Sequence, residues 1–241
     1  MNKGTANEKS NRTLGMKIVS NLVLGVLVLS VGALCLAPAE ESVTADTEVE
    51  IYRFSPNPQG VSLMFNVYWG TEEIPRILQT LEEYNATATF FIGGCWADDN
   101  VDCLRTIYAA GHEIGNHGYF HKDHDRLNFT QNRKEIADCN RFIELAIGEA
   151  PTLFAPPSGA YNEQTLTAAK TLGMKTVLWS KDTIDWRDKD EKLIYQRATK
   201  NVKSGDFILM HPMSATADAL DEILQYYQEN SLKTVTVSEN L

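Results

Sequence analysis

Val61-Ser62-Leu63-Met64-Phe65-Asn66-Val67, continued by Tyr68-Trp69-Gly70-Thr71-Glu72-Glu73 and then by Ile74, Ile77, Leu78, Leu81 and Tyr84, sets the fold. The first seven residues are a mostly apolar run of strand length. The later apolar residues recur at intervals of three and four, the period of a helix that buries one face. Thr71-Glu72-Glu73 stands where a helix starts, since acids are favoured in a first turn. Together these residues make one βα unit, and the rhythm repeats outward from it. Strand-like 86–93 precedes a helix around 103–110, strand-like 113–116 precedes a longer helix around 132–147, and 152–154 precedes one around 163–172. Strand 176–180 leads to a helix at about 191–202, strand 207–210 to a helix around 217–229, and 234–237 is a last strand. About seven βα units in one domain, 60–241, imply an α/β fold whose parallel sheet closes into a distorted (β/α) barrel; an open, doubly wound sheet is the alternative.

The residues before this domain differ in character. Residues 1–17 carry Lys3, Lys9, Arg12 and Lys17 against Glu8 alone, and 18–37 is almost wholly apolar and free of charge. A run of that length can cross a bilayer, and its basic flank keeps 1–17 in the cytoplasm and everything after it outside. Two outcomes stay open: a retained single-span anchor at 18–37, or a signal peptide cut after Ala37-Pro38-Ala39, giving a secreted protein. The run is longer than a usual signal core, which favours the anchor. Residues 38–59, acidic and polar with Pro38, Pro56 and Pro58, read as a linker. Net charge is −10 overall; residues 1–17 contribute +3, so the rest stands at −13. Nucleic acid is therefore not a partner. Outside the apolar run lie Cys95, Cys103 and Cys139, without paired CxxC spacing; a Cys95–Cys103 disulfide and three free thiols both remain open.

Ligand groups of either architecture belong at the C-terminal ends of strands. Asn66 ends the first strand, His117 and His121 follow the third, Ala155-Pro156-Pro157-Ser158-Gly159 follows Leu153, Asp182 and Asp185 follow Trp179, and His211 ends 207–210. The four-residue spacing of His117 and His121 lets two imidazoles converge on one metal ion, the competing reading being two histidines that cap a strand. That the other candidates share the same mouth favours the metal.

Met64-Phe65-Asn66 with Trp69-Gly70, His117-x-x-x-His121, Phe154-Ala155-Pro156-Pro157-Ser158-Gly159, Trp179-Ser180-x-Asp182-x-x-Asp185-Trp186 and Ile208-Leu209-Met210-His211, in this order, resemble the polysaccharide deacetylase (NodB-homology) family of carbohydrate esterases. The spacing around Trp69-Gly70 is similar to the branch found in spore-forming Gram-positive bacteria. The resemblance implies that His117 and His121 hold a divalent metal, commonly zinc, and that His211 is the acid toward the departing amine. It implies that Asp182 and Asp185 orient and tune His211, that the Ser158 N–H helps hold the oxyanion, and that Trp186 and Leu209 form the pocket for the acetyl methyl. The implied partner is an N-acetylated envelope glycan such as peptidoglycan.

Three positions depart from the family pattern. Where the family carries adjacent aspartates, a base and a metal ligand, this chain has Asn66 and Val67. An amide has no useful basicity, and a valine offers no donor. Where the family has an arginine paired with the base, this chain has Ala155. The two losses belong together, because an arginine facing a neutral amide would be a charge without its partner. Two functions remain: a metal-dependent deacetylase with a degenerate site, or an inactive glycan-binding or structural envelope protein on the same fold. The loop Asp123–Asp125, with His124, reads as solvated.

Overall fold

The computed structural model describes residues 50–241, so the readings of 1–17 as a cytoplasmic tail, of 18–37 as an anchor or signal, and of 38–49 as linker lie outside the described residues. No helix among the described residues is long and apolar enough to cross a membrane.

Eight parallel strands make one curled sheet. In chain order they are β1 (Ile51–Tyr52), β2 (Ser62–Val67), β3 (Thr89–Ile92), β4 (Glu113–Asn116), β5 (Leu153–Phe154), β6 (Lys175–Val177), β7 (Lys181–Asp182) and β8 (Phe207–Met210). Their order across the sheet is β1-β6-β5-β4-β3-β2-β8-β7. The α/β fold with a parallel sheet is as the sequence implies, but the barrel is open at a seam, since no ladder among the described residues joins β7 to β1. The edge strands have two residues each. A single antiparallel bridge between Phe54 and Asp206 narrows the gap. The domain also starts earlier than position 60. Ile51 and Tyr52 pair with Thr176 and Val177, and Ser55 is buried with its hydroxyl donating to the Asn240 carbonyl at 2.6 Å, so the end of the expected linker belongs to the sheet.

The helices are α1 (Ile74–Glu83), α2 (Gly94–Asp99), α3 (Val101–Ala109), α4 (Phe129–Ile147), α5 (Glu163–Thr171), α6 (Asp185–Asp188), α7 (Glu191–Thr199) and α8 (Ser214–Glu229). Helix α4 begins three residues before the expected start because Asn128 and Gln131 form a reciprocal capping box there. The expected strand at 176–180 stops at Val177, the end of β6, and a separate short strand, β7, follows at Lys181–Asp182 with a different neighbour. The expected strand at 234–237 is reduced to one bridge, Val61 with Thr234, followed by a short turn at Ser238–Asn240.

A strand points successive side chains to opposite faces, and this sheet uses the two faces differently. Leu63, Phe65 and Val67 of β2, Phe90 and Ile92 of β3, and Ile208 and Met210 of β8 lie in one buried cluster with α1 and α8 residues such as Ile77, Leu81, Leu220 and Ile223. Met64, Phe91, Leu153, Ala155, Val177 and Phe207 fill the concave interior with Val237. Gly115 of β4 is part of that filling: a Cβ there would lie 2.5 Å from the Phe91 ring.

Candidate active site

By the same alternation, Asn66, Gly115, His117, Leu209 and His211 fall on the interior side, at the end where the strands finish. His117 is 1% exposed, and its Nδ1–H donates to the Ala155 carbonyl at 2.7 Å. That bond fixes the tautomer and leaves Nε2 as the lone-pair nitrogen. Burial, with the nearby His121 as a smaller cause, pushes the pKa of His117 well below the ordinary histidine value; burial also lowers that of His121. Both imidazoles are thus available as neutral donors. Two imidazoles on one tetrahedral ion, each with an N–metal distance of about 2.0–2.1 Å, have ring centres roughly 5 Å apart. Here the centroids are 5.1 Å apart and the planes 70° to one another. The pair fits two ligands of a metal ion. No group of three or more His, Cys, Asp or Glu placed for a metal occurs among the described residues, so a third protein donor is lacking.

The loop that carries His121 is held from outside the motif. Glu135 of α4, buried, accepts the Phe120 N–H at 2.9 Å through Oε2 and pairs with Lys122 at 2.6 Å through Oε1. His121 itself takes a left-handed backbone, φ 52°. His124 is not solvated as its loop suggests. It is fully buried, its Nδ1 lies 2.6 Å from Asn132 Oδ1, and Asp123 and Asp125 alone face outward. Gly118, at φ 72°, makes room for it: a Cβ would stand 2.9 Å from the His124 ring nitrogen. Sequence reasoning missed Glu135 and Asn132, although both interrupt the buried stripe Ile136, Cys139, Ile143 of α4 at helical spacing. A polar residue on an apolar stripe was the available signal.

On the other side of the mouth stands His211. Its Nδ1–H donates to Asp185 Oδ1 at 2.8 Å. Asp185, fully buried, also accepts the His211 backbone N–H at 2.6 Å, the Thr216 hydroxyl at 2.7 Å and the Trp186 N–H at 2.8 Å. Four donors satisfy the buried carboxyl group and aim it. Asp182, expected to share this role, reaches His211 through its charge and not through a hydrogen bond: its Oδ1 accepts the Ile184 N–H at 2.7 Å, and its carboxyl pKa is raised by burial and lowered in part by the nearby His211. What it supports is Ile184, a β-branched residue at φ 54°, a conformation costing roughly 1–2 kcal/mol. Thr183, whose hydroxyl donates to the Leu209 carbonyl at 2.7 Å, braces the same turn, which swings Asp185 beneath His211.

Asn66 is 4% exposed and its Oδ1 has no hydrogen-bond partner. Ala155 is fully buried in the interior cluster, and Tyr52 and Trp179 pack on that cluster. Val67 is not merely the wrong residue type for a ligand: it belongs to the helix-facing cluster, on the side opposite Asn66. Leu209 is 2% exposed on β8 next to His211, while Trp186 is 48% exposed at the start of α6. Ser158 is exposed in a short turn after β5 at φ 56°. Cys95, Cys103 and Cys139 are all free thiols, and burial pushes Cys139 up to about 12.

Fold and site together define a class: an α/β half-barrel with a pair of imidazole donors and a carboxylate-held imidazole at the C-terminal ends of its strands. The chain belongs to the polysaccharide deacetylase family, whose profile matches residues 55–177. It is 36% identical over 173 residues to a peptidoglycan-N-acetylglucosamine deacetylase of Bacillus cereus, covering 69% of this chain and 81% of that protein. It is 35% identical over 189 residues to the uncharacterized protein YlxY of Bacillus subtilis, covering 78% of this chain but only 59% of YlxY. Among solved structures it is similar to BA3943 of Bacillus anthracis, described as a CE4 family pseudoenzyme: TM-score 0.77, 34% identity, 80% of this chain and 69% of that one. A mutant of BA3943 is described as having restored enzymatic activity.

Proposed function

We propose that this chain is an extracytoplasmic, membrane-anchored member of the family that binds N-acetylated envelope glycan such as peptidoglycan and hydrolyses its acetamide C–N bond slowly, through a degenerate site. The observation that carries the reading is the nearness of two half-sites, the His117–His121 donor pair and the His211–Asp185 pair, with the Trp69 ring against both His121 and His211. A divalent ion held by His117 and His121, zinc being the commonest choice for such donors, would supply Lewis acidity toward the acetyl oxygen. The chain's own residues do the rest. Leu209 and Trp186 shelter the acetyl methyl, and the Ser158 N–H lies at the turn that faces the carbonyl oxygen. His211 delivers the Nε2 proton to the amine nitrogen as the C–N bond breaks, and Asp185 stabilises the imidazolium beforehand. Asn66 can accept a hydrogen bond but takes no proton, so water is activated without a carboxylate base, a loss of about 10² to 10⁴ in rate.

A second reading, a glycan-binding protein without turnover, is favoured by the neutral pair Asn66 and Ala155 and by the likeness to a protein described as a pseudoenzyme. Acetate release from N-acetylglucosamine oligomers and from peptidoglycan, with added zinc or cobalt, separates the two. Slow, metal-stimulated release that disappears in His117→Ala supports the first. Retained glycan affinity with no release establishes the second, and neither affinity nor release removes both. For the anchor at 18–37, recovery of the mature protein in the membrane fraction is expected, and a soluble protein beginning near Glu40 would replace it with a cleaved signal.

A further inference from the structure

We propose that Trp69 is the positioning residue for His211: it closes one face of the imidazole and keeps the ring in the single orientation in which Asp185 holds Nδ1 and Nε2 faces the mouth. The inference rests on the reading of His211 as the proton donor. Trp69 and His211 are stacked, with centroids 5.4 Å apart and planes within 7°. The indole is anchored independently of that stack, because Trp69 Nε1–H points at Met213 Sδ at 3.1 Å. Met213 is in turn tied to the acid, its backbone N–H donating to the His211 carbonyl at 2.8 Å. The two loops touch through their backbones as well. Gly70 takes φ 79°, and a Cβ there would fall 1.9 Å from the Pro212 carbonyl oxygen, so only glycine lets the loop after β2 lie against the turn after β8. The indole is fixed by its own hydrogen bond and its own loop, and it lies over the imidazole as a flat wall.

Asp185 alone does not fix the ring. A carboxylate at Nδ1 restrains one edge, while a rocking motion about that edge would swing Nε2 away from the leaving nitrogen. A parallel aromatic face restrains the remaining freedom. A displacement of about 1 Å at such a group costs up to about 10²-fold in rate. Trp69 also lies 6.2 Å from His121, centroid to centroid, so the same ring stands between the two half-sites of the mouth.

The test is the nitrogen and proton spectrum of the His211 ring in the wild-type protein and in Trp69→Phe, Trp69→Leu and Trp69→Ala, with His211→Gln to assign the signals and thermal melts to show that each variant is folded. The wild type should show one Nδ1–H tautomer with ring protons moved upfield by the indole. Phe should keep narrow ring-proton lines; Leu and Ala should lose the upfield shift and broaden those lines as the imidazole rocks, while Asp185 keeps the proton on Nδ1 in every variant. Leu fills space without a π face, so if Ala fails to fold, Phe against Leu still decides. His211 ring-proton line widths in Leu as narrow as in the wild type, or broadened equally in Phe and Leu, would overturn the proposal. The spectrum does not depend on turnover. A wild type that releases no acetate therefore removes the deacetylase reading without deciding this inference, which the spectrum alone settles.

Discussion

Restoring the base and its cation together, Asn66→Asp with Ala155→Arg, should raise acetate release and lower thermal stability at the same time. The gain follows from the chemistry: general-base help is worth about 10² to 10⁴ in rate, equivalent to roughly 3 to 5 kcal/mol of barrier at 1.36 kcal/mol per tenfold. The cost follows from packing. Ala155 is fully buried among Met64, Phe91, Leu153, Val177 and Phe207, so an arginine must displace neighbours, at about 1–3 kcal/mol for overpacking. For a domain of this size that is about 2–12 °C in Tm. Asn66→Asp alone avoids the overpacking but leaves a 96%-buried carboxylate without a cation, and should gain less. The assay is acetate release from N-acetylated oligosaccharide with added zinc, beside a thermal melt and a metal analysis of the same preparations. A double variant that is folded and metal-loaded yet gains nothing would refute the argument from the missing base. The defect would then lie in the absent third donor, since Val67 offers no ligand atom and is buried in the helix-facing cluster. A wild-type protein already turning over at a rate ordinary for the family would refute the idea of a degenerate site altogether.

Zinc bound by the wild-type domain should fall to background in His117→Ala and in His121→Ala, measured by elemental analysis after dialysis; near-stoichiometric zinc in either variant would refute the donor pair. Asp185→Asn should lower stability by several kcal/mol in a denaturant titration, because an amide cannot accept all four donors, whereas Asp182→Asn should cost under about 1 kcal/mol; equal losses would contradict the division of roles between them. Burial holds the pKa of His112, His117 and His124 below the ordinary value, so the unfolded chain binds more protons at mildly acid pH. Stability is therefore whole above pH of about 6.5 and lost as pH falls from there toward the depressed folded-state values. Tm should drop between pH 7.5 and pH 5, and a Tm that rose over that interval would refute the assignment of these histidines as buried and neutral.

Much of the site was legible because a parallel α/β sheet sends its chemistry to the strand ends. Asn66, His117 and His211 each close a run of strand-like residues, and the structure places them on the same interior side. The losses at Asn66 and Ala155 were legible by residue type alone. Long-range pairing was not. The open seam depends on β1 and β7 being two residues long, and nothing local in Ile51-Tyr52 tells a strand from linker until Thr176 and Val177 are beside it. The difference between Asp182 and Asp185 turned on the left-handed turn at Ile184, a conformation that a β-branched residue argues against, and bonds from neighbouring residues, Thr183, Asp182 and Arg197 among them, hold it. His124 read as loop because its partner, Asn132, is eight residues on in a different element.

Asn66 and Val67 are neighbours in the chain with opposite allegiances, one to the interior mouth and one to the layer beneath the helices. A substitution at the first is felt by chemistry, a substitution at the second by folding. The two faces of one strand are therefore exposed to separate selective pressures. An amide in place of an acid at 66, with a methyl in place of a cation at 155, leaves the helix-facing layer untouched. Reinstating the acid and the cation asks room of the interior packing around Ala155 but nothing of the layer beneath the helices.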